Sequence, residues 1–167
     1  KGLQEKISGS DLLPSFCEYH RDNPNVRIFL LGGSEGVPQA AQQRINARVG
    51  RDIIIDTYSP KFEFENHPDQ CEEILTRIKR SSANVLVVCL GAPKQEKWIM
   101  RNKALLPTIS IVMALGAAVD FEAGKKSRAP KYLSALGPEW LHRLCHEPKR
   151  LWKRYLVDDI FFVFMIM

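Results

Sequence analysis

Four short apolar runs alternate along the chain with stretches in which apolar residues recur every three or four positions. The apolar runs are Val26–Leu31, Asp52–Asp56, Val85–Leu90 and Ile109–Leu115. Runs of this length, rich in β-branched residues, are typical of strands that are covered on both faces. The helical patterns begin after Ser10 and cover about residues 38–49, 68–82 and 94–106. This alternation predicts a Rossmann-like α/β fold, with a mostly parallel sheet and helices on both faces.

The turns that follow the four runs are expected to meet at one edge of the sheet. Right-handed crossovers bring the carboxyl ends of parallel strands to the same side, and ligands of open α/β sheets bind there. These turns begin near Gly32, Asp56, Gly91 and Gly116. Their convergence predicts a binding pocket more strongly than any one of the turns does.

Gly32 and Gly33 stand between the first strand and a helix, a place where backbone N–H groups can hold a phosphate. The spacing is not GxGxxG, and no Walker lysine follows it. A plain tight turn and a phosphate cradle therefore remain equally open.

The stretch Asn84–Trp98 contains the strand, the turn and the helix start on which the functional prediction depends. Pro93 has no N–H to donate and suits the first turn of a helix. Gln95 and Glu96 are therefore expected where the sheet edge meets a helix N-terminus. Asp120 follows the glycine turn after the fourth strand, where it could contact a ribose hydroxyl or a cation, or cap the next turn.

Positive charge is concentrated in the last third of the chain. The 167 residues carry a net charge of +5, and positions 125–154 hold nine Lys or Arg with only Glu139 and Glu147 against them. Such a region indicates an anionic partner, although a solvated basic face gives the same pattern. The prediction is a two-part chain, with an α/β core in residues 1–124 and a basic helical C-terminal appendage in residues 125–167.

Cysteines, histidines and the apolar C-terminal end add little chemistry. The four cysteines form no CxxC pair, which predicts reduced thiols that pack in the interior. His142 and His146 are four residues apart on a predicted helix, but two ligands do not make a metal site, and none is predicted. The apolar segment 160–167 is shorter than the roughly 20 residues that span a bilayer. It could dock on a membrane, on a partner or on the core.

Five motifs stand in the order and at the spacing of one protein family. They are Gly91–Trp98 (GAPKQEKW), Gly116–Phe121 (GAAVDF), Arg128–Pro130 (RAP), Gly137–Leu144 (GPEWLHRL) and Glu147–Arg150 (EPKR). Together they resemble the WecG/TagA/CpsF glycosyltransferases over nearly the whole chain from about Gly9 onward. Pro138 stands where this family usually has leucine, and His142 stands where tyrosine is common.

The resemblance implies an inverting glycosyltransferase. Such enzymes transfer a sugar, often N-acetylmannosamine or its uronic acid, from a UDP-sugar to a polyprenyl-diphosphate-linked acceptor in teichoic acid or other cell-surface polysaccharide synthesis. It also implies a cytoplasmic protein, peripheral on the inner face of the cell membrane, with no cofactor besides its substrates. No nucleic-acid partner is predicted, because few aromatic residues interleave with the basic run. Homo-oligomerisation is left open.

Motif matches and strand-end positions together define a set of candidate site residues. Gln95, which matches the family's active-pocket glutamine, and Asp120 are the predicted catalytic residues. The predicted substrate-binding residues are Gly32, Gly33, Tyr58, Gly91, Pro93, Glu96, Gly116, Arg128, Glu139, Arg143, Arg150, Lys153 and Arg154. The resemblance implies that the basic residues of the appendage close over the donor diphosphate, whose charge they would neutralise.

One part of the family pattern has no counterpart in this sequence. Family members carry, before the segment that matches Gly9, a strand with Thr and Asn and an aspartate proposed as the general base that an inverting transfer needs. Asp11 is the nearest carboxylate, but it matches a different motif. The expectation is therefore that the base lies outside this chain. The alternative is a truncated remnant that binds nucleotide or membrane without catalysis.

Overall fold

The computed structural model describes residues 9–125 of the chain, and these residues form a four-stranded parallel sheet with helices. The strands are β1 (Ile28–Gly32), β2 (Ile54–Tyr58), β3 (Val85–Cys89) and β4 (Ile111–Ala114). Their order across the sheet is β2-β1-β3-β4, and every neighbouring pair is parallel. The predicted Rossmann-like α/β fold is thereby confirmed.

Five α-helices and two short 3₁₀ turns belong to the described residues. The helices are α1 (Gly9–Tyr19), α2 (Val37–Val49), α3 (Pro68–Arg80), α4 (Lys94–Asn102) and α5 (Ala118–Glu122), with 3₁₀ turns at Phe64–Asn66 and Lys103–Leu105. The short helix α5 was not expected from the sequence. None of these helices combines the length and the apolarity needed to cross a bilayer.

The side chains of β1 explain why the sheet has a core on each face. Ile28 and Leu30 belong to a cluster with residues of α1, α2 and α5. Phe29 and Leu31 belong to a second cluster, with residues of α3 and α4. Successive side chains of a strand point to opposite faces, so a strand buried on both faces must be apolar at every position, and all of β1 is buried.

The fourth strand is less buried than its apolar sequence predicted. Ile111 is 43% exposed and Val112 is 38% exposed, and Met113 is the strand's single buried residue. The prediction of a buried strand is wrong here because β4 lies at one end of the four described strands and pairs, among them, with β3 alone. An apolar run looks the same in sequence at the edge of a sheet and in its middle.

The second strand begins and ends two residues later than the apolar run suggested. Asp56 therefore lies inside β2 rather than in the turn that follows it. The charged side chain is accommodated because the Arg77 guanidinium holds it with two hydrogen bonds, Nε to Oδ2 at 3.0 Å and Nη2 to Oδ1 at 2.8 Å. The predicted appendage, residues 125–167, lies outside the described residues apart from Lys125.

The described cysteines are free thiols, and two of them are packed in the core. Burial raises the pKa of the Cys17 thiol to about 12 and the pKa of the Cys89 thiol to about 12 as well. The prediction of cysteines that pack in the interior is confirmed for this pair. Cys71 is half-buried, and its Sγ lies 3.4 Å from the Phe64 carbonyl oxygen.

Alkylation should reveal this difference in burial. In native protein at pH 8, Cys17 and Cys89 are expected to resist iodoacetamide, because roughly one thiol in ten thousand with a pKa near 12 is ionised and the thiolate is the nucleophile. Cys71 should react faster. Peptide-resolved mass spectrometry measures each rate, and addition of urea should bring all three rates together. Native rates for Cys17 equal to that of Cys71 would contradict the packing described here.

Candidate functional site

The carboxyl ends of the strands surround a cleft of about 700 Å³. Its lining comes from the ends of β2 and β3, from the segments that follow β1, β2 and β3, and from residues of α2, α3, α4 and α5. The lining residues are Gly33, Ser34, Glu35, Gln39, Thr57, Tyr58, Ser59, Pro60, Lys61, Phe62, Phe64, Arg77, Cys89, Leu90, Lys94 and Asp120. The predicted convergence of strand-end segments on one edge is therefore observed.

The cleft includes the point at which the direction of the sheet reverses. The chain passes from β1 to β2 on one side and then crosses to β3 on the other side of β1. In open α/β sheets a crevice forms at such a switch point, outside the carboxyl ends of the strands. Gly33 and Ser34 follow β1 at this point, while Leu90 and Lys94 follow β3.

Gly32 permits a close approach between the first and third strands. Its φ is +114°, and a Cβ built on it would lie 2.4 Å from the carbonyl oxygen of Cys89. The next N–H, that of Gly33, donates to the same oxygen at 3.2 Å. This N–H is therefore engaged inside the protein, which gives the glycine pair a structural reason independent of phosphate binding.

Tyr58 lines the cleft and lies against the ion pair between Arg77 and Asp56. The Arg77 guanidinium lies 5.4 Å from the centre of the Tyr58 ring and is itself held by Asp56. The hydrogen bonds that Arg77 donates to Asp56 raise the pKa of Arg77. Burial, and then a hydrogen bond with Glu73, raises the pKa of the Tyr58 phenol. Tyr58 thus presents a neutral aromatic ring to the cleft at physiological pH.

Gln95 links the turn after β3 to the turn after β4. It is 5% exposed. Its side-chain Oε1 accepts a hydrogen bond from the Gly116 N–H at 3.0 Å, and its Nε2 donates to Glu96 Oε1 at 2.8 Å. Both ends of the amide are therefore engaged within the protein. These contacts indicate that Gln95 positions the segment that leads to Asp120.

Lys94 lies on the wall of the cleft beside two phenylalanine rings. Its Nζ is 2.6 Å from Glu65 Oε1, 5.5 Å from the centre of the Phe62 ring and 5.9 Å from that of Phe64. The hydrogen bond from Lys94 lowers the pKa of Glu65. The ion pair therefore ties α4 to the segment between β2 and α3.

The structure places the predicted site residues in three groups. Gly33, Tyr58 and Asp120 line the cleft. The others that are described stand in the strand-end segments at the same edge but not in the lining; they are Gly32, Gly91, Pro93, Gln95, Glu96 and Gly116. The basic and acidic candidates of the appendage, Arg128, Glu139, Arg143, Arg150, Lys153 and Arg154, lie outside the described residues.

Sequence reasoning missed several residues of the lining, chiefly Thr57, Arg77 and Lys94. Lys94 stands inside the motif GAPKQEKW, so its place beside Gln95 was a usable signal. Thr57 was missed because the second strand was placed two residues too early. Nothing in the sequence marks Arg77, since its role depends on Asp56, 21 residues away.

Metal binding has no candidate among residues 9–125, where no three His, Cys, Asp or Glu side chains are grouped to hold an ion. The prediction that the site contains no metal stays a prediction.

Comparison with known proteins identifies the family. The model of the WecG/TagA/CpsF glycosyl transferase family matches residues 1–167. Two similar relatives, from Staphylococcus aureus strains MW2 and NCTC 8325 / PS 47, are named N-acetylglucosaminyldiphosphoundecaprenol N-acetyl-beta-D-mannosaminyltransferase. Each is 29% identical over 153 residues, a match that covers 89% of this chain and 56% of the relative, so the chain spans about half the length of these relatives. The chain belongs to the WecG/TagA/CpsF family of glycosyl transferases.

Proposed function

We propose that this chain forms the nucleotide-binding α/β part of an inverting glycosyltransferase that uses a UDP-sugar. The observation that carries the proposal is the cleft at the switch point of the sheet, in a chain that matches a glycosyl transferase family over its whole length. A cleft at this point of an open α/β sheet is the usual place for a nucleotide. The sugar we propose is N-acetylmannosamine or a related hexose, because the similar relatives are named for its transfer.

The proposed acceptor is a sugar on polyprenyl diphosphate, since the relatives are named for N-acetylglucosaminyldiphosphoundecaprenol. A lipid-linked acceptor requires work at a membrane surface, so we place the protein peripherally on the inner face of the cell membrane. In the transfer, an acceptor hydroxyl oxygen attacks the anomeric carbon, and the bond from that carbon to the diphosphate breaks. UDP leaves with the electron pair, and a general base takes the hydroxyl proton.

The described residues divide the tasks of donor binding. Asp120 lines the cleft and supplies carboxylate oxygens that accept hydrogen bonds from ribose hydroxyls. Tyr58 offers a rigid neutral ring, and cationic side chains offset the diphosphate charge that develops on the leaving group. Gln95 holds the Gly116 turn four residues before Asp120, so we assign it a positioning role in the same site.

Calorimetric titration with UDP tests this proposal. The chain is expected to bind UDP, and Asp120→Ala is expected to weaken binding about tenfold, as for loss of one hydrogen bond to a charged group. Asp22→Ala provides the control, because Asp22 is exposed in the turn after α1 and is not among the residues that line the cleft.

Three outcomes separate the alternatives. Absence of UDP binding in a folded sample would contradict the proposal. Equal losses of UDP affinity in Asp120→Ala and Asp22→Ala would contradict the placement of UDP in the cleft. UDP binding without transfer from a UDP-sugar to a lipid-diphosphate acceptor would instead support a nucleotide-binding module without catalysis.

A further inference from the structure

Lys94 combines three properties of an anion-binding residue. It lines the cleft, it follows β3 at the switch point of the sheet, and its ammonium group is paired with one carboxylate oxygen. Its side chain is 34% exposed and that of Glu65 is 27% exposed. The pair is therefore accessible to a ligand that enters the cleft.

The other cations of the lining are placed differently. Arg77 is held by two hydrogen bonds to Asp56 and lies against the Tyr58 ring, on the β2 side of the cleft. Lys61 belongs to the segment between β2 and α3. Among the described residues, Lys94 is the lining cation that comes from the segment after β3, and its ammonium group lies beside Glu65, Phe62 and Phe64.

The partner of Lys94 is incompletely satisfied. Glu65 Oε1 accepts from Lys94, while Glu65 Oε2 is buried and has no hydrogen-bond partner among the described residues. Because Oε2 accepts no hydrogen bond, the Glu65 carboxylate is less stabilised than a buried carboxylate with both oxygens hydrogen-bonded. An ion pair between partly exposed groups contributes little free energy. Release of Lys94 also takes this partner from Glu65, a cost that the greater negative charge of a diphosphate would offset.

We propose that Lys94 binds the diphosphate of the nucleotide donor, and that Glu65 occupies Lys94 until the donor enters the cleft. This rests on the proposed function, since it names a binding residue for the same donor. The ammonium group would exchange one carboxylate oxygen for phosphate oxygens, for which lysine acts as a point charge. The exchange releases Glu65 and, with it, the contact of α4 to the segment that carries Phe62 and Phe64.

Binding of UDP, UMP and uridine to the same variants tests this assignment by calorimetry. Lys94→Gln is expected to weaken UDP binding about tenfold, to weaken UMP binding less, and to leave uridine binding unchanged within about twofold. Lys97→Gln is the matched control, because it makes the same charge change one helical turn away at an exposed position outside the lining. It should leave all three affinities unchanged.

The Glu65→Gln variant tests the competition independently of any effect of Lys94 on folding. Removal of the carboxylate charge frees Lys94, so UDP should bind about threefold more tightly. Weaker UDP binding in Glu65→Gln would overturn the exchange. Circular dichroism shows whether each variant is folded.

The controls separate this inference from the proposed function. Binding of UDP to the wild type supports the proposed function. Absence of that binding would overturn the proposed function and the role of Lys94 together. If the wild type binds UDP, then equal losses for UDP and uridine in Lys94→Gln, or equal losses in Lys94→Gln and Lys97→Gln, would overturn the role of Lys94 alone.

Discussion

Replacement of Gly32 by alanine is expected to lower the free energy of unfolding by about 3–5 kcal/mol, from strain and overpacking together. The new Cβ would lie 2.4 Å from the Cys89 carbonyl oxygen and 2.5 Å from its carbonyl carbon. Both are backbone atoms of the neighbouring strand, so neither can move without disturbing the β1–β3 ladder. The φ of +114° adds a backbone conformation that side chains rarely adopt. Small domains are stable by only about 5–15 kcal/mol, so urea denaturation should detect the loss clearly.

Gly36 provides a control with the same substitution. Its φ is +79°, and a Cβ built on it has no neighbour within 4 Å. Gly36→Ala should therefore show the conformational cost alone, about 1–2 kcal/mol. If the two variants lose equal stability, contact with Cys89 is not what requires glycine at position 32. If Gly32→Ala is as stable as the wild type, the approach of β1 to β3 is wider than described.

The fold could be predicted because a strand that is buried on both faces has a recognisable local sequence pattern. A strand such as β1, covered on both sides, must be apolar at successive positions, and this appears directly in the sequence. The exposure of Ile111 and Val112 could not be predicted, since it depends on how many neighbours β4 has. The position of Asp56 inside β2 depends on Arg77, which is distant in sequence.

The site was partly predictable for a similar reason. Glycines and prolines mark the ends of strands, so the segments that converge on the cleft could be named in advance. What each side chain does there depends on contacts between segments. Lys94 is paired with Glu65, 29 positions earlier, and Gln95 is bound to Gly116, 21 positions later. The local sequence around a residue does not show which distant residue it will contact.

Replacement of Gln95 by alanine is expected to lower the free energy of unfolding by about 1–3 kcal/mol, because it removes the acceptor of the Gly116 N–H from a buried position. The Gly116 turn should loosen, and Asp120, four residues later, should lose its fixed place on the cleft wall. The variant should also bind UDP more weakly than the wild type, because Asp120 is a proposed donor-binding residue. Urea denaturation and calorimetric titration of the same sample measure the two effects.

Two further variants distinguish a positioning residue from one that contacts the substrate. Gln43→Ala makes the same change at an exposed position on α2 and should alter stability by less than about 0.5 kcal/mol. Gln95→Glu keeps an acceptor for the Gly116 N–H but replaces the donor to Glu96 with a second carboxylate at a buried position, so at neutral pH it should be no more stable than Gln95→Ala. A Gln95→Ala variant with wild-type stability and no UDP binding would contradict the positioning role. In that case the amide must leave Gly116 when the donor enters, and Gln95 would contact the substrate itself.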